Sequence, residues 1–248
     1  MPQITSGRRS RGLLYRRLIA VQSRVARRAP RQPGVFFQYP PFQSPAEERV
    51  NGLIHGTAAL ASLAGAVWLI AAAARLADRL MLAGCTAYAL SLMAVFTMST
   101  LSHVIEPPRL RQLFRTLDQA CIYLLTAGCC TPYFIRFLLP YGWGWMLPVI
   151  WAMALFLTWH KLRGHRVNST LVTFNVALGW FPAVAARPFL TYMPTGCVIF
   201  VIMGAALYML GVVFLCYDER CRYFHAVWHV LVVAASTCVY AGIAVYVV

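Results

Sequence analysis

His225 and His229 stand four residues apart in the run Phe224-His225-Ala226-Val227-Trp228-His229. On an α-helix that separation stacks two imidazoles on one face, about one turn apart, which is ligand spacing for a metal. The same spacing also suits a pair at headgroup level that donates hydrogen bonds to phosphate or carbonyl groups. A third histidine, His103, follows Ser99 by one helical turn, and Asp118 comes soon after. Three neutral imidazoles and a water make an open tetrahedral zinc site, in which the metal brings the pKa of the water toward neutrality and makes hydroxide available for attack. In such a site Asp118 is the candidate general base or orienting carboxylate, and the Ser99 hydroxyl is the candidate donor to the water or to a developing oxyanion. The bland alternative is that Asp118 pairs with Arg111 or Arg115 at an interface and that Ser99 bonds its own backbone.

The elements that must position these residues are read from composition. Of 248 residues, 60% are hydrophobic and only 12% are charged, with a mean hydropathy of +0.64. Water is the wrong solvent for most of this chain. Apolar runs fall at roughly 52–74, 80–104, 117–139, 143–159, 168–187, 193–215 and 225–247, each about as long as a hydrocarbon core is thick. They show no period-two alternation, so they are helices and not barrel strands, because only those two structures satisfy backbone polar groups in lipid. The fold expected is an all-α membrane protein, a seven-transmembrane-helix bundle.

Orientation follows from the basic residues in alternate loops. The N-terminal arm shares its side with Arg109, Arg111 and Arg115, then Lys161, Arg163 and Arg166, then Arg220 and Arg222; the other side holds Arg75, Arg79, Arg136 and Arg187. The N-terminus is therefore expected in the cytosol and the C-terminus outside or in a lumen. This parse places His103 at the inner end of the second span, with Asp118, His225 and His229 at the inner starts of the third and seventh. All of them then share one depth, where random placement would scatter them over both leaflets. Ionisable groups within spanning helices cost several kcal/mol unless paired, hydrated or metal-bound, so each is a candidate functional residue.

Glu48, Asn51 and His55 approach or begin the first span at three- and four-residue steps. They can support a metal site from behind, or simply form a hydrated helix start where acidic residues suit the helix dipole. His160 and His165 belong to the charged stretch His160-Lys161-Leu162-Arg163-Gly164-His165-Arg166 and read as solvated. Pro132, Pro148, Pro182 and Pro194 lie in or beside spans, where kinks are tolerated. The run Leu178-Gly179-Trp180-Phe181-Pro182 reads as an ordinary packing kink or as the wall of a lipid-accessible pocket.

The net charge of +15 raises the question of nucleic acid. Its distribution answers it: ten of the 22 basic residues, Arg8 through Arg31 and Arg49, precede the first span, and the rest sit in short loops. Residues 1–46 lack any acidic side chain and form a basic, Pro-rich arm, attracted to anionic lipid or serving as an organelle transit peptide; residues 47–248 form the membrane domain. The eight cysteines lie mostly inside apolar runs without Cys-x-x-Cys spacing and read as packing residues.

Several blocks together carry a family resemblance: Glu48, Asn51 and His55; Ser99 and His103; Leu117-Asp118-Gln119-Ala120-Cys121-Ile122-Tyr123-Leu124-Leu125-Thr126-Ala127-Gly128 followed by Thr131-Pro132; and His225-Ala226-Val227-Trp228-His229. Over residues 46–248 the chain resembles a hemolysin III type member of the progestin and adipoQ receptor superfamily. The segments Arg28-Ala29-Pro30 and Leu210-Gly211-Val212-Val213-Phe214 are similar to the monocyte-to-macrophage differentiation branch. The resemblance implies seven helices, a cytosolic N-terminus, and zinc held by His103, His225 and His229 with Asp118 hydrogen-bonded to the metal water. Gln119 stands where a histidine often accompanies the aspartate. Relatives in that superfamily include adiponectin receptors and, more distantly, alkaline ceramidases, which implies hydrolysis of a lipid amide such as ceramide.

The expected function is thus a zinc-dependent membrane hydrolase of the plasma membrane, with the bilayer and a lipid-like substrate as its partners and no nucleic acid. Two alternatives stand beside it. One is a receptor or scaffold with structural zinc; the other is a pore, for which the spans show no channel-lining charge pattern.

Overall fold

Ser44 opens the first helix. Its Oγ accepts from the Glu47 amide at 3.3 Å while Glu47 Oε2 accepts from the Ser44 amide at 3.0 Å, so two otherwise orphaned N–H groups are satisfied reciprocally. With Pro45 in the first turn, these caps start α1, Pro45–Arg75. In this computed structural model residues 43–163 and 169–248 are described. The expected arm lies outside them except for residues 43–46, of which 45 and 46 already belong to α1; His165 and Arg166 lie outside as well.

The chain turns back at once after α1. Asp78 Oδ1 accepts from the Leu80 and Met81 amides at 2.9 and 3.0 Å and so caps α2, Arg79–Val104. Glu106 and two prolines interrupt the helix before α3, Pro108–Phe137. Next come α4, Met146–Leu162, and α5, Ser169–Trp180. A 3-10 turn at Phe181–Ala185 leads to the short α6, Ala186–Tyr192. The last two are α7, Thr195–Cys216, and α8, Phe224–Tyr246. Among the described residues there is no strand.

Among the described residues five helices, α1, α2, α3, α7 and α8, are long and apolar enough to cross a membrane. The chain is an integral, multi-pass membrane protein. Of the other two expected spans, α4 is apolar but has 17 residues. The run expected at 168–187 is broken into α5, the 3-10 turn and the start of α6. Pro182 lies in that break, where it can donate no backbone hydrogen bond.

Neighbouring helices pack in chain order and α8 closes the bundle against α1, while α3 also touches α4, α5 and α8. Small residues set the closest approaches. A methyl group on Gly128 would run into Ser91 Oγ and lie 3.3 Å from the Tyr88 Cα, so α3 can sit against α2 only with hydrogen at that position. Gly211 does the same for α7 beneath the Trp228 ring of α8. One apolar core runs through α1, α2, α3 and α8 around Leu69, Tyr88 and Ile243. A second joins α3, α4 and α5 around Met146, Ile150 and Leu178.

Candidate metal centre

The start of α1, the end of α2 and the start of α8 meet at one end of the bundle. His103 is the penultimate residue of α2, and His225 and His229 occupy the first two turns of α8. Each offers a ligand atom within 4.8 Å of the other two. Ring centroids are 5.4 Å apart for His103 and His225, 5.1 Å for His103 and His229, and 4.4 Å for His225 and His229. All three side chains are buried.

Two of the rings are held from behind by carboxylates. His103 Nδ1 donates to Glu48 Oε2 at 2.7 Å, and Glu48 Oε1 accepts from Arg115 Nη2 at 3.1 Å. His225 Nδ1 donates to Asp218 Oδ2 at 2.9 Å. A neutral imidazole that donates through Nδ1 keeps its lone pair on Nε2, the form in which histidine binds metals. His103 Nε2 lies 3.0 Å from His229 Nε2. Two facing nitrogens this close need a proton or a cation between them, and zinc with bonds of about 2.0–2.1 Å to tetrahedral ligands sets its nitrogens about 3.3 Å apart. Three buried imidazoles suit zinc or another divalent first-row metal, so the residues present fit such an ion.

His229 is supported differently. Its Nδ1 is buried without a hydrogen-bond partner, and its ring lies against that of His55, with centroids 3.8 Å apart and planes inclined by 42°. His55 in turn meets the edge of Phe96 at 5.2 Å. Asn51, on the same side of α1, donates from Nδ2 to Gln43 Oε1 at 2.7 Å. Thus Glu48 of the first helix backs the cluster, His55 lies against it, and the Asn51 amide donates to Gln43 instead.

Asp118 does not open its helix, as the sequence reading expected. Because α3 starts at Pro108, Asp118 sits about 15 Å along it at 1.5 Å per residue, and the first turns carry the arginines instead. Arg111 Nε donates to the Ile105 carbonyl at 2.7 Å, and Arg115 goes to Glu48. Asp118 and Ser99 are both buried. They line, with His55 and His229, one end of a cavity of about 760 Å³ bounded by α3, α5, α6, α7 and α8. From that end the cavity runs past Tyr208 and Trp180 to Phe189 and Met193, walled almost wholly by apolar side chains.

A family model described as haemolysin-III related matches residues 43–240. The chain belongs to that family. Among curated relatives of this haemolysin-III-related chain, Hemolysin-3 of Bacillus cereus is 31% identical over 205 residues, covering 81% of this chain and 92% of the relative. A Hemolysin-3 homolog of Bacillus subtilis (strain 168) is 26% identical over 201 residues, covering 81% and 94%. The human Monocyte to macrophage differentiation factor is 28% identical over 163 residues, covering 63% and 67%. These similarities place the chain in the hemolysin III branch of the progestin and adipoQ receptor superfamily.

One site residue of this haemolysin-III-related chain escapes sequence reasoning. Asp218, which orients His225, lies in the turn before α8 and obeys no helical spacing. Glu47 Oε1 accepts from the Tyr223 amide at 2.9 Å and so ties that turn to α1. Tyr223 has φ +61°, a left-handed conformation costing a non-glycine residue about 1–2 kcal/mol, and the Glu47 bond helps hold it. One signal was available: the chain has only seven acidic residues, and Glu47, Glu48, Asp118 and Asp218 all lie at this end of the bundle.

Proposed function

We propose that the chain is a zinc-dependent hydrolase of a lipid amide such as ceramide. His103, His225 and His229 hold the ion, and Asp118 and Ser99 act on the substrate. When bound, zinc supplies a Lewis acid that polarises a carbonyl and makes a water acidic. Asp118 is the base that removes a proton from the attacking water and returns it to the leaving amine. Ser99 donates a hydrogen bond to the carbonyl oxygen as negative charge develops there. Glu48 and Asp218 hold the His103 and His225 rings in the metal-binding tautomer. The apolar wall excludes water and receives an acyl chain.

The observation that carries this reading is the shared wall: His229, Asp118 and Ser99 close one end of a cavity whose volume is that of a small-molecule site and whose remaining length is apolar. In this reading the bundle crosses the plasma membrane seven times, α4 and the α5–α6 segment supplying the two further crossings. The metal end faces the cytosol, the side that the basic loops favour. Purified protein in lipid nanodiscs is tested for release of fatty acid from a C16 ceramide before and after zinc removal by a chelator. Release that stops on removal and returns with zinc is the expected result; release by neither sample discards the hydrolase.

A second reading has its own support. The ligands come from α2 and α8, which are not neighbours in the bundle's chief helix contacts, so an ion there ties together helices that pack mainly on others. In a receptor or scaffold that structural role suffices.

A further inference from the structure

His55 is 2% exposed, and neither of its ring nitrogens makes a well-formed hydrogen bond, although the His229 backbone lies close by. Buried polar atoms of this kind are rare, because an unmade hydrogen bond forfeits the solvation lost on burial. The ring is not loose: it rests on His229 on one side and meets Phe96 on another. Nor is it one of the three that converge within ligand distance. It lines the cavity at the polar end, together with Ser99, whose hydroxyl faces the Asp118 carboxylate, and with His229, whose Nδ1 is buried without a partner. Two neighbouring imidazoles therefore present unsatisfied nitrogens to one end of an otherwise apolar cavity.

We propose that His55 is the headgroup-binding residue of this cavity, forming a hydrogen bond to the polar group of the lipid whose chain fills the apolar remainder. A neutral imidazole carries one donor and one acceptor, so the group it suits is one that itself both donates and accepts. A secondary amide or a hydroxyl meets that description, whereas a carboxylate can only accept and a hydrocarbon can do neither. His55 and His229 both line the cavity and their rings are in contact, so the group His55 holds lies beside the metal cluster and within the space shared with Asp118 and Ser99. His55 thus binds and places the polar group without ligating the ion. This rests on the proposed function for the nature of the lipid, but not for its hydrolysis.

The test uses the full chain in nanodiscs with two substitutions. His55→Phe keeps a flat ring to lie on His229 and removes both hydrogen-bonding nitrogens; His55→Gln keeps a donor and an acceptor and loses the ring. Zinc content, equilibrium binding of radiolabelled C16 ceramide and of palmitate, and fatty acid release are measured on each. The expected result is zinc content equal to the unsubstituted protein in both variants, with ceramide bound about tenfold or more weakly by His55→Phe, as when a buried group loses its partner. His55→Gln recovers most of that loss, and palmitate binding changes less than ceramide binding. Where turnover is seen, the loss falls on KM more than on kcat. Ceramide binding without release of fatty acid, still sensitive to His55→Phe, overturns the hydrolase reading and supports this one. Equal ceramide binding by all three proteins overturns the headgroup assignment, as does absence of ceramide binding by the unsubstituted chain. Loss of zinc from His55→Phe also overturns it, by making the residue a support for the metal.

Discussion

His103 Nε2 and His229 Nε2 face each other at 3.0 Å although 126 positions separate them in the chain. With Nδ1 of His103 committed to Glu48, the Nε2 of that ring is its lone-pair nitrogen. That nitrogen therefore faces either a proton on His229 Nε2 or a cation.

The direct consequence is metal content. The purified chain is expected to carry about one equivalent of zinc, and His103→Ala or His229→Ala to carry little, since removing one of three protein ligands leaves too few to hold the ion. Elemental analysis of the three proteins decides this, and equal zinc in all three discards the ligand assignment.

Glu48→Gln and Asp218→Asn leave every ligand in place but weaken the hold on the His103 and His225 tautomers. Each is expected to lower metal affinity about 10–100-fold, the usual effect of losing such a partner, read by competition with a chromogenic chelator. Glu48→Gln also releases Arg115 from its ion pair, so its thermal midpoint should fall further than that of Asp218→Asn.

If the cavity houses a hydrolytic reaction, binding and chemistry separate by substitution. Asp118→Asn and Ser99→Ala should keep their zinc. Loss of a positioned base costs about 10²–10⁴ in rate, and loss of an oxyanion donor about 10²–10³. Turnover of ceramide under saturating substrate is the measurement, and full activity in Asp118→Asn removes that residue from the mechanism.

Helix packing gives a prediction free of any function. Gly128→Val drives a branched side chain into Ser91 and Tyr88 and should cost about 1–3 kcal/mol by overpacking. Gly56→Ala meets only the Thr100 side chain at 3.5 Å or beyond, an ordinary contact, and should be close to neutral. Thermal midpoints in one detergent compare the two.

Topology is checked by tags. A protease site placed before Met1 should be cut only in inside-out vesicles, and one placed after Val248 only in right-side-out vesicles, because the basic loops favour the cytosolic side. The reverse pattern would invert the metal end.

The apolar runs were legible because they are local: in lipid a continuous hydrophobic stretch has helix as its only open-ended solution. Thus α1, α2, α7 and α8 fall close to the expected limits at most ends. The early start of α3 was not legible, since Pro108–Leu117 is amphipathic, with arginines that a hydropathy window scores as loop. The break at Pro182 was visible as a kink, but not as the division of one span into α5, a 3-10 turn and α6.

For the site, residue type and helical period alone singled out the pair His225 and His229, and a shared depth added His103, Ser99 and Asp118. Those inferences needed only the rise of a helix and the cost of charge in hydrocarbon. Which carboxylate stands behind which ring was decided by tertiary structure: Glu48 reaches His103 from α1, Asp218 reaches His225 from a turn, and His55 lies on His229 where no spacing rule connects them. Contacts across helices depend on how their small residues let them approach and rotate, and a one-dimensional pattern does not contain that rotation.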